Sequence, residues 1–154
     1  MPTPIYPQQQ GSTVWIAAAG MPATTLTNNN ISGAVQRITR ASYGVGPLLM
    51  DVFLSGSFAT SPAGVGALQL IVVDRSPTGD IGPVPVAATA RNVYTFSQSP
   101  QGTTGVIYSA RSVPVPIDCD LYLFNNATGY TFTYTNSMNT SASCFGVYLW
   151  TPGT

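Results

Sequence analysis

Asp118-Cys119-Asp120 places two carboxylates and a thiol at three consecutive positions. Paired carboxylates can share acid and base work, hold a hard cation or grip a guanidinium, and a thiol can act as a nucleophile once ionised. Each chemistry makes a further demand. Calcium takes about six to eight oxygens, and the flanking residues here are Ile117 and Leu121. A glycosidase pair sits about 5–9 Å apart across a sugar cleft. Neighbours on one side of a strand reach only the lower end of that range, and nothing else in the sequence indicates a cleft. A thiol or hydroxyl nucleophile needs a base, and the chain has neither histidine nor lysine. That removes Ser-His, Cys-His and Ser-Lys arrangements and Schiff-base chemistry. A structural role is therefore expected, with arginine as partner, because its planar fork matches a carboxylate. Asp118, Asp120, Arg91 and Arg111 are the candidates for such charge pairs. No catalytic residue, metal ion or cofactor is expected, and the chain is read as a non-enzyme.

The charge inventory is small. Every basic residue is an arginine (Arg37, Arg40, Arg75, Arg91, Arg111), and every acidic residue is an aspartate (Asp51, Asp74, Asp80, Asp118, Asp120). Charged residues make up 6% of the chain, against roughly 25% in an ordinary soluble domain. Without lysine and glutamate there is little material for helix surfaces. A neutral chain with no basic cluster has little with which to neutralise phosphates, so nucleic acid is not an expected partner. A surface this poor in charge is weakly protected against association, which points to life in an assembly. The longest apolar run, Gly64 to Val73, is too short for a membrane-spanning helix, and no membrane association is expected. The opening MPTPIYPQQQGS lacks the basic and apolar regions of a secretory signal.

Cys119 and Cys144 leave two readings, a disulfide or two free thiols; free, buried thiols are the better expectation, since cysteine often serves as a small hydrophobe. The Asn-x-Ser/Thr triplets at Asn30, Asn126 and Asn139 are what a chain rich in these residues carries by chance. Tyr43, Tyr94, Tyr108, Tyr122, Tyr148 and Trp150 are candidate sugar-stacking aromatics, but core or interface positions suit an apolar ring with a polar tip better.

The positioning elements read as strands. Nine short runs rich in Val, Ile, Thr, Tyr and Phe alternate with links rich in Gly, Pro and Asn. They are 13–18, 31–40, 48–55, 67–74, 93–97, 106–110, 120–124, 130–135 and 145–150. The pattern predicts an all-β sandwich or barrel. Period-two alternation puts Phe145, Val147 and Leu149 on one face and Tyr148 and Trp150 on the other. The five-residue link Asn125–Gly129 predicts a hairpin over Asp120–Thr135. Pro2, Pro4 and Pro7 predict an extended arm over residues 1–12, leaving residues 13–154 as one sandwich domain.

The arm, MPTPIYPQQQGSTVWIA, and the blocks PVPIDCDLYLFNNATGYTFTYT and FGVYLWTPGT give the chain its character. In them it resembles the jelly-roll cement or decoration proteins on the capsids of tailed bacteriophages. The resemblance implies a two-sheet jelly roll that binds the major capsid protein on the virion surface. It implies a protein made in the host cytoplasm that acts as a dimer or trimer bridging capsomers through non-covalent contacts. On that reading the interface is expected at Pro4, Ile5, Tyr6 and Pro7 of the arm and at Trp150 and Pro152. A receptor- or carbohydrate-binding module of a tail fibre or baseplate is the alternative reading. Another tail or connector subunit is a further one.

Overall fold

Period-two alternation of β-branched and aromatic residues builds ten strands among the described residues. The computed structural model describes residues 10–17, 25–39, 48–62, 66–76, 92–97, 100, 106–116, 118–134 and 144–151. The strands are β1 (Gln10–Ala17), β2 (Thr25–Leu26), β3 (Gln36–Thr39), β4 (Leu49–Phe58) and β5 (Ala67–Asp74), then β6 (Val93–Thr95), β7 (Val106–Pro114), β8 (Asp118–Asn126), β9 (Phe132–Tyr134) and β10 (Phe145–Thr151). No described residue is helical.

The strands form two antiparallel sheets packed face to face. Sheet A runs β1-β10-β4-β9-β2, with β7 also paired to β4. Sheet B runs β3-β8-β5-β6. With β2 and β9 left out, the strands pair first with last, β1 with β10, and then inward as β3 with β8, β4 with β7 and β5 with β6. β4 organises sheet A. One side pairs with β7 over most of its length, and the other pairs first with β10 and then with β9. Gly56 pairs with Val106 on one side and Tyr134 on the other. A Cβ at Gly56 would collide with the Phe132 ring and the Thr133 carbonyl, so glycine lets the Phe132 ring lie against the backbone.

Alternation decides what is buried. Met50, Val52 and Leu54 of β4, Phe145, Val147 and Leu149 of β10, Leu68, Leu70 and Val72 of β5, and Cys119, Leu121 and Leu123 of β8 fill one core between the sheets. Phe132 sits at its end, in edge-to-face contact with Phe58, Tyr108 and Tyr134 at centroid distances of 5.2, 5.6 and 5.3 Å. The two candidate aromatics Tyr108 and Tyr122 are buried. Tyr43 lies outside the described residues.

The hairpin expected over Asp120–Thr135 does not form. β8 belongs to sheet B and β9 to sheet A, so Asn125–Tyr130 is a corner between the layers. Buried Asn125 donates through Nδ2 to the carbonyls of Leu26 (2.9 Å) and Tyr130 (2.8 Å). Its Oδ1 accepts from the Thr128 hydroxyl at 2.5 Å. The Asn28 and Asn29 side chains accept from the backbone N–H of Gly129 and Ala127 at 2.8 and 2.9 Å. These bonds satisfy the polar groups that a paired hairpin would otherwise satisfy, and so the chain can leave one sheet for the other.

Two boundaries also differ from expectation. β1 starts at Gln10, so residues 10–12 belong to the sheet and not to an arm; residues 1–9 lie outside the described residues. The run expected over 31–40 is interrupted. Ile31 bridges Phe124 and Gln36 pairs with Leu121, which leaves two extra residues on the β3 side. Ser32 fills the break by accepting the Leu123 N–H on its hydroxyl at 2.9 Å.

Candidate functional site

Asp118 and Asp120 stand on the outer face of sheet B, with Cys119 turned into the core. Strand pairing brings their partners. Arg37 sits opposite Asp120 on β3, and Arg75 follows the end of β5. Arg37 grips Asp118 with both arms of its fork, Nε to Oδ1 at 3.1 Å and Nη2 to Oδ2 at 2.5 Å. Arg75 brings Nε and Nη2 to Oδ2 of Asp120 at 2.8 and 2.7 Å, and its backbone N–H donates to the Asp118 carbonyl at 2.8 Å. The hydrogen bond from Arg37 holds the Asp118 carboxyl below the usual carboxylate range, against the opposing pull of burial. A carboxylate so held is a poor proton carrier near neutral pH. Asp-Cys-Asp is thus a structural ladder tying β3, β8 and β5 together.

Arg111 serves a different carboxylate. Met50 pairs with Val113 and Val52 with Ala110, so Arg111 and Ser112 together oppose Asp51, a β-bulge. Ser112 takes a positive φ of 54° at this point. Asp51 secures the bulge. Its Oδ2 accepts from Arg111 Nη1 at 2.9 Å, and its Oδ1 accepts from the Ser112 N–H at 2.9 Å and from Trp150 Nε1 at 3.3 Å. The Arg111 guanidinium lies over the Phe53 ring at 4.6 Å, a cation–π placement.

By register this is the outer face of sheet A. Its rows are Trp150, Leu49 and Pro114; then Tyr148, Asp51 and the bulge; then Gly146, Phe53 and Ser109; then Ser55 and Ile107. Leu49, Phe53, Tyr148 and Trp150 are half-buried, and Ile107 is exposed. An outer sheet face facing water is ordinarily polar. This one instead collects Trp, Tyr, Phe, Leu and Ile around one arginine, and of these Trp, Tyr and Arg are the types enriched in binding hot spots.

Of the expected interface residues, Trp150 lies on this face. Pro4, Ile5, Tyr6, Pro7 and Pro152 lie outside the described residues, as does Arg91 among the expected charge partners. Arg37, Arg75, Asp51 and Phe53 were not singled out from sequence. The signal for Asp51 and Phe53 was alternation, since they fall between the core residues Met50, Val52 and Leu54. Nothing local in the sequence marks the partners of Asp118 and Asp120, because strand pairing supplies them.

Both cysteines are free and buried. Burial, helped by the nearby Asp74, Asp118 and Asp120, pushes the Cys119 thiol up to about 12. Burial also raises Cys144. Neither is activated for nucleophilic chemistry, which needs a lowered pKa. Among the described residues no three metal-ligating side chains come together. Comparison with family models, curated proteins and solved structures gave no match.

Proposed function

We propose that this chain is a structural virion protein that attaches to the outside of a tailed-phage capsid and cements neighbouring capsomers through non-covalent contacts. The observation that carries the reading is the internal pairing of almost all the described charge. Seven charged residues are described, Arg37, Asp51, Asp74, Arg75, Arg111, Asp118 and Asp120, and three internal ion pairs consume six of them. Among the described residues that leaves Asp74 as the one charge outside an ion pair, and a surface with so little unpaired charge suits a protein that spends its working life against other protein.

The strand order supports the jelly-roll expectation. With the short β2 and β9 set aside, the eight remaining strands pair first with eighth, second with seventh, third with sixth and fourth with fifth. They divide between two sheets. A strand ribbon folded on itself and rolled into a double Greek key pairs its strands in this way. The proposed partner is the major capsid protein, and the proposed state is a dimer or trimer on the virion surface, made in the host cytoplasm. Many weak copies then add avidity.

The test is the mass of the protein in solution, followed by mixing with expanded capsids, for the full chain and for a chain lacking residues 1–9. Gln10 opens β1, so the cut stops short of it. A defined oligomer that decorates capsids supports the reading, and loss of binding with residues 1–9 would place part of the interface there. A protein that ignores capsids with or without those residues sinks it. Glycan arrays would then test the receptor-binding alternative.

A further inference from the structure

We propose that the outer face of sheet A, centred on Arg111, Trp150 and Tyr148, is the docking surface, and that it takes an uncharged polypeptide surface: apolar side chains beside main-chain carbonyls. The inference rests on the attachment reading above and adds which face attaches and what chemistry the partner presents.

Arg111 is the most exposed of the three paired arginines, with 60% of its side chain accessible, against 46% for Arg37 and 12% for Arg75. It is nevertheless fixed. Asp51 holds one nitrogen and Phe53 lies under the guanidinium. The other guanidinium N–H groups have no acceptor among the described residues. Fixing a side chain beforehand removes the entropy that a long flexible group would lose on binding. The bulge at Arg111 and Ser112 sets this geometry, and bulges commonly re-aim a side chain.

The partner's chemistry follows from charge. Asp51 already balances Arg111, so an incoming carboxylate meets attraction from the guanidinium and repulsion from Asp51 a few ångströms behind it. A carbonyl oxygen uses the same N–H donors without that repulsion. Apart from Asp51, the described residues of this face around Arg111 are neutral: Leu49, Phe53, Ser109, Ile107, Tyr148 and Trp150. Complementarity therefore calls for a neutral, partly apolar surface.

Size limits the claim. Leu49 to Ser55 spans about 20 Å at roughly 3.4 Å per residue, and three strands span about 10–15 Å. That face covers roughly 200–300 Å², while a specific interface takes about 800 Å² per partner. The face is the energetic centre of a larger contact.

The experiment measures binding to expanded capsids at about 50 and 500 mM NaCl, with Trp150→Ala, Ile107→Ser, Arg111→Ala and, as control, Val93→Ser on the other sheet. In parallel, retention of each protein on a neutral phenyl resin reads the face without any partner. Binding is expected to change by less than about threefold with salt, since the attraction is not ionic. It should weaken roughly thirtyfold in Trp150→Ala, and more modestly in Arg111→Ala and Ile107→Ser. Val93→Ser should bind normally. Phenyl retention should fall in Trp150→Ala and Ile107→Ser alone. If Trp150→Ala fails to fold, the exposed Ile107→Ser decides. Capsid binding that survives all three face variants, or falls more than about tenfold with salt, overturns the inference and leaves attachment standing. No capsid binding by the unaltered protein defeats attachment, and phenyl retention then judges the face. Loss confined to the face variants keeps it as an apolar docking surface, and unchanged retention overturns it.

Discussion

Asp120–Arg75 on the outer face of sheet B and Asp51–Arg111 on that of sheet A are the same chemical pair treated in opposite ways. On sheet B, Asp120 and Arg75 are enclosed, with 2% and 12% of their side chains accessible. Below them, Ile71, Tyr122 and Phe124 form a second buried apolar cluster. On sheet A, Asp51 is covered but its arginine stands in solvent, ringed by half-buried aromatics. A pair enclosed on both sides holds strands together. A pair enclosed on one side holds a side chain out. The aspartate is buried in both, so the difference lies in how far each arginine is enclosed and in the bulge that carries Arg111.

The sharpest way to break that comparison is to neutralise each aspartate. Asp120→Asn leaves the enclosed Arg75 guanidinium without its counter-charge, and the expected cost is about 3–5 kcal/mol in urea unfolding. Asp51→Asn leaves an arginine that water can reach, and the expected cost is about 1–2 kcal/mol. Equal costs would mean that the two faces do the same work. The arginines repeat the test from the other side. Arg75→Ala should approach the loss at Asp120, while Arg111→Ala should cost about 1 kcal/mol or less in stability and act chiefly on attachment.

Proton linkage sharpens the contrast at sheet B. The Cys119 thiol, on the core side of the ladder, is raised to about 12, whereas an unfolded thiol titrates near 8.5–9. Between those values the unfolded chain releases a proton that the folded chain keeps, so stability falls as pH rises. The slope expected from this group is about 1.4 kcal/mol per pH unit. Chemical unfolding from pH 8 to 11 should show it, and Cys119→Ala should remove that part. Asp118 acts at the acid end with the opposite sign. Its lowered pKa contributes stability that is present above the ordinary carboxylate range and is lost as pH falls through it and below. Asp118→Asn should flatten the acid limb. A thiol that titrates normally, or an acid limb unchanged in the variant, would remove sheet B's claim to be the locked face.

Much of the fold was legible because alternation is a local signal. Phe145, Val147 and Leu149 read as one face from sequence, and they line the core. The sandwich class followed from short β-rich runs between turn residues. What failed was pairing. Asn125–Gly129 has the composition of a hairpin link, yet Asn125 reaches Leu26, ninety-nine positions away, and turns the chain between sheets. The same limit applied to the site. Asp118 and Asp120 invited an arginine, but Arg37 lies on β3 and Arg75 just after β5, strands that flank β8 only in the folded sheet. Trp150 could be marked as an exposed-face aromatic by alternation. Its link to Asp51 could not be, because a one-residue bulge in β7 sets that geometry and leaves no mark in composition.

The smallest expected effects separate the faces most cleanly, because they change only the backbone. Ala127, in the corner, and Ser112, in the bulge, both adopt positive φ, 54° in each case. An L-residue there carries a cost of about 1–2 kcal/mol that glycine avoids. Glycine returns about 0.5–1 kcal/mol of that through its freer unfolded chain. Ala127→Gly and Ser112→Gly should therefore each stabilise the protein by about 0.5 kcal/mol, read as a small rise in the urea midpoint. Their effects on attachment should diverge. The corner positions nothing on the outer face of sheet A, so Ala127→Gly should bind as the unaltered protein does. The bulge aims Arg111, and a glycine beside it loosens that aim, so Ser112→Gly should bind more weakly although it unfolds later. A stability gain with unchanged attachment at both positions would mean that the bulge only relieves strand register, and the contrast between the two faces would lose its cause.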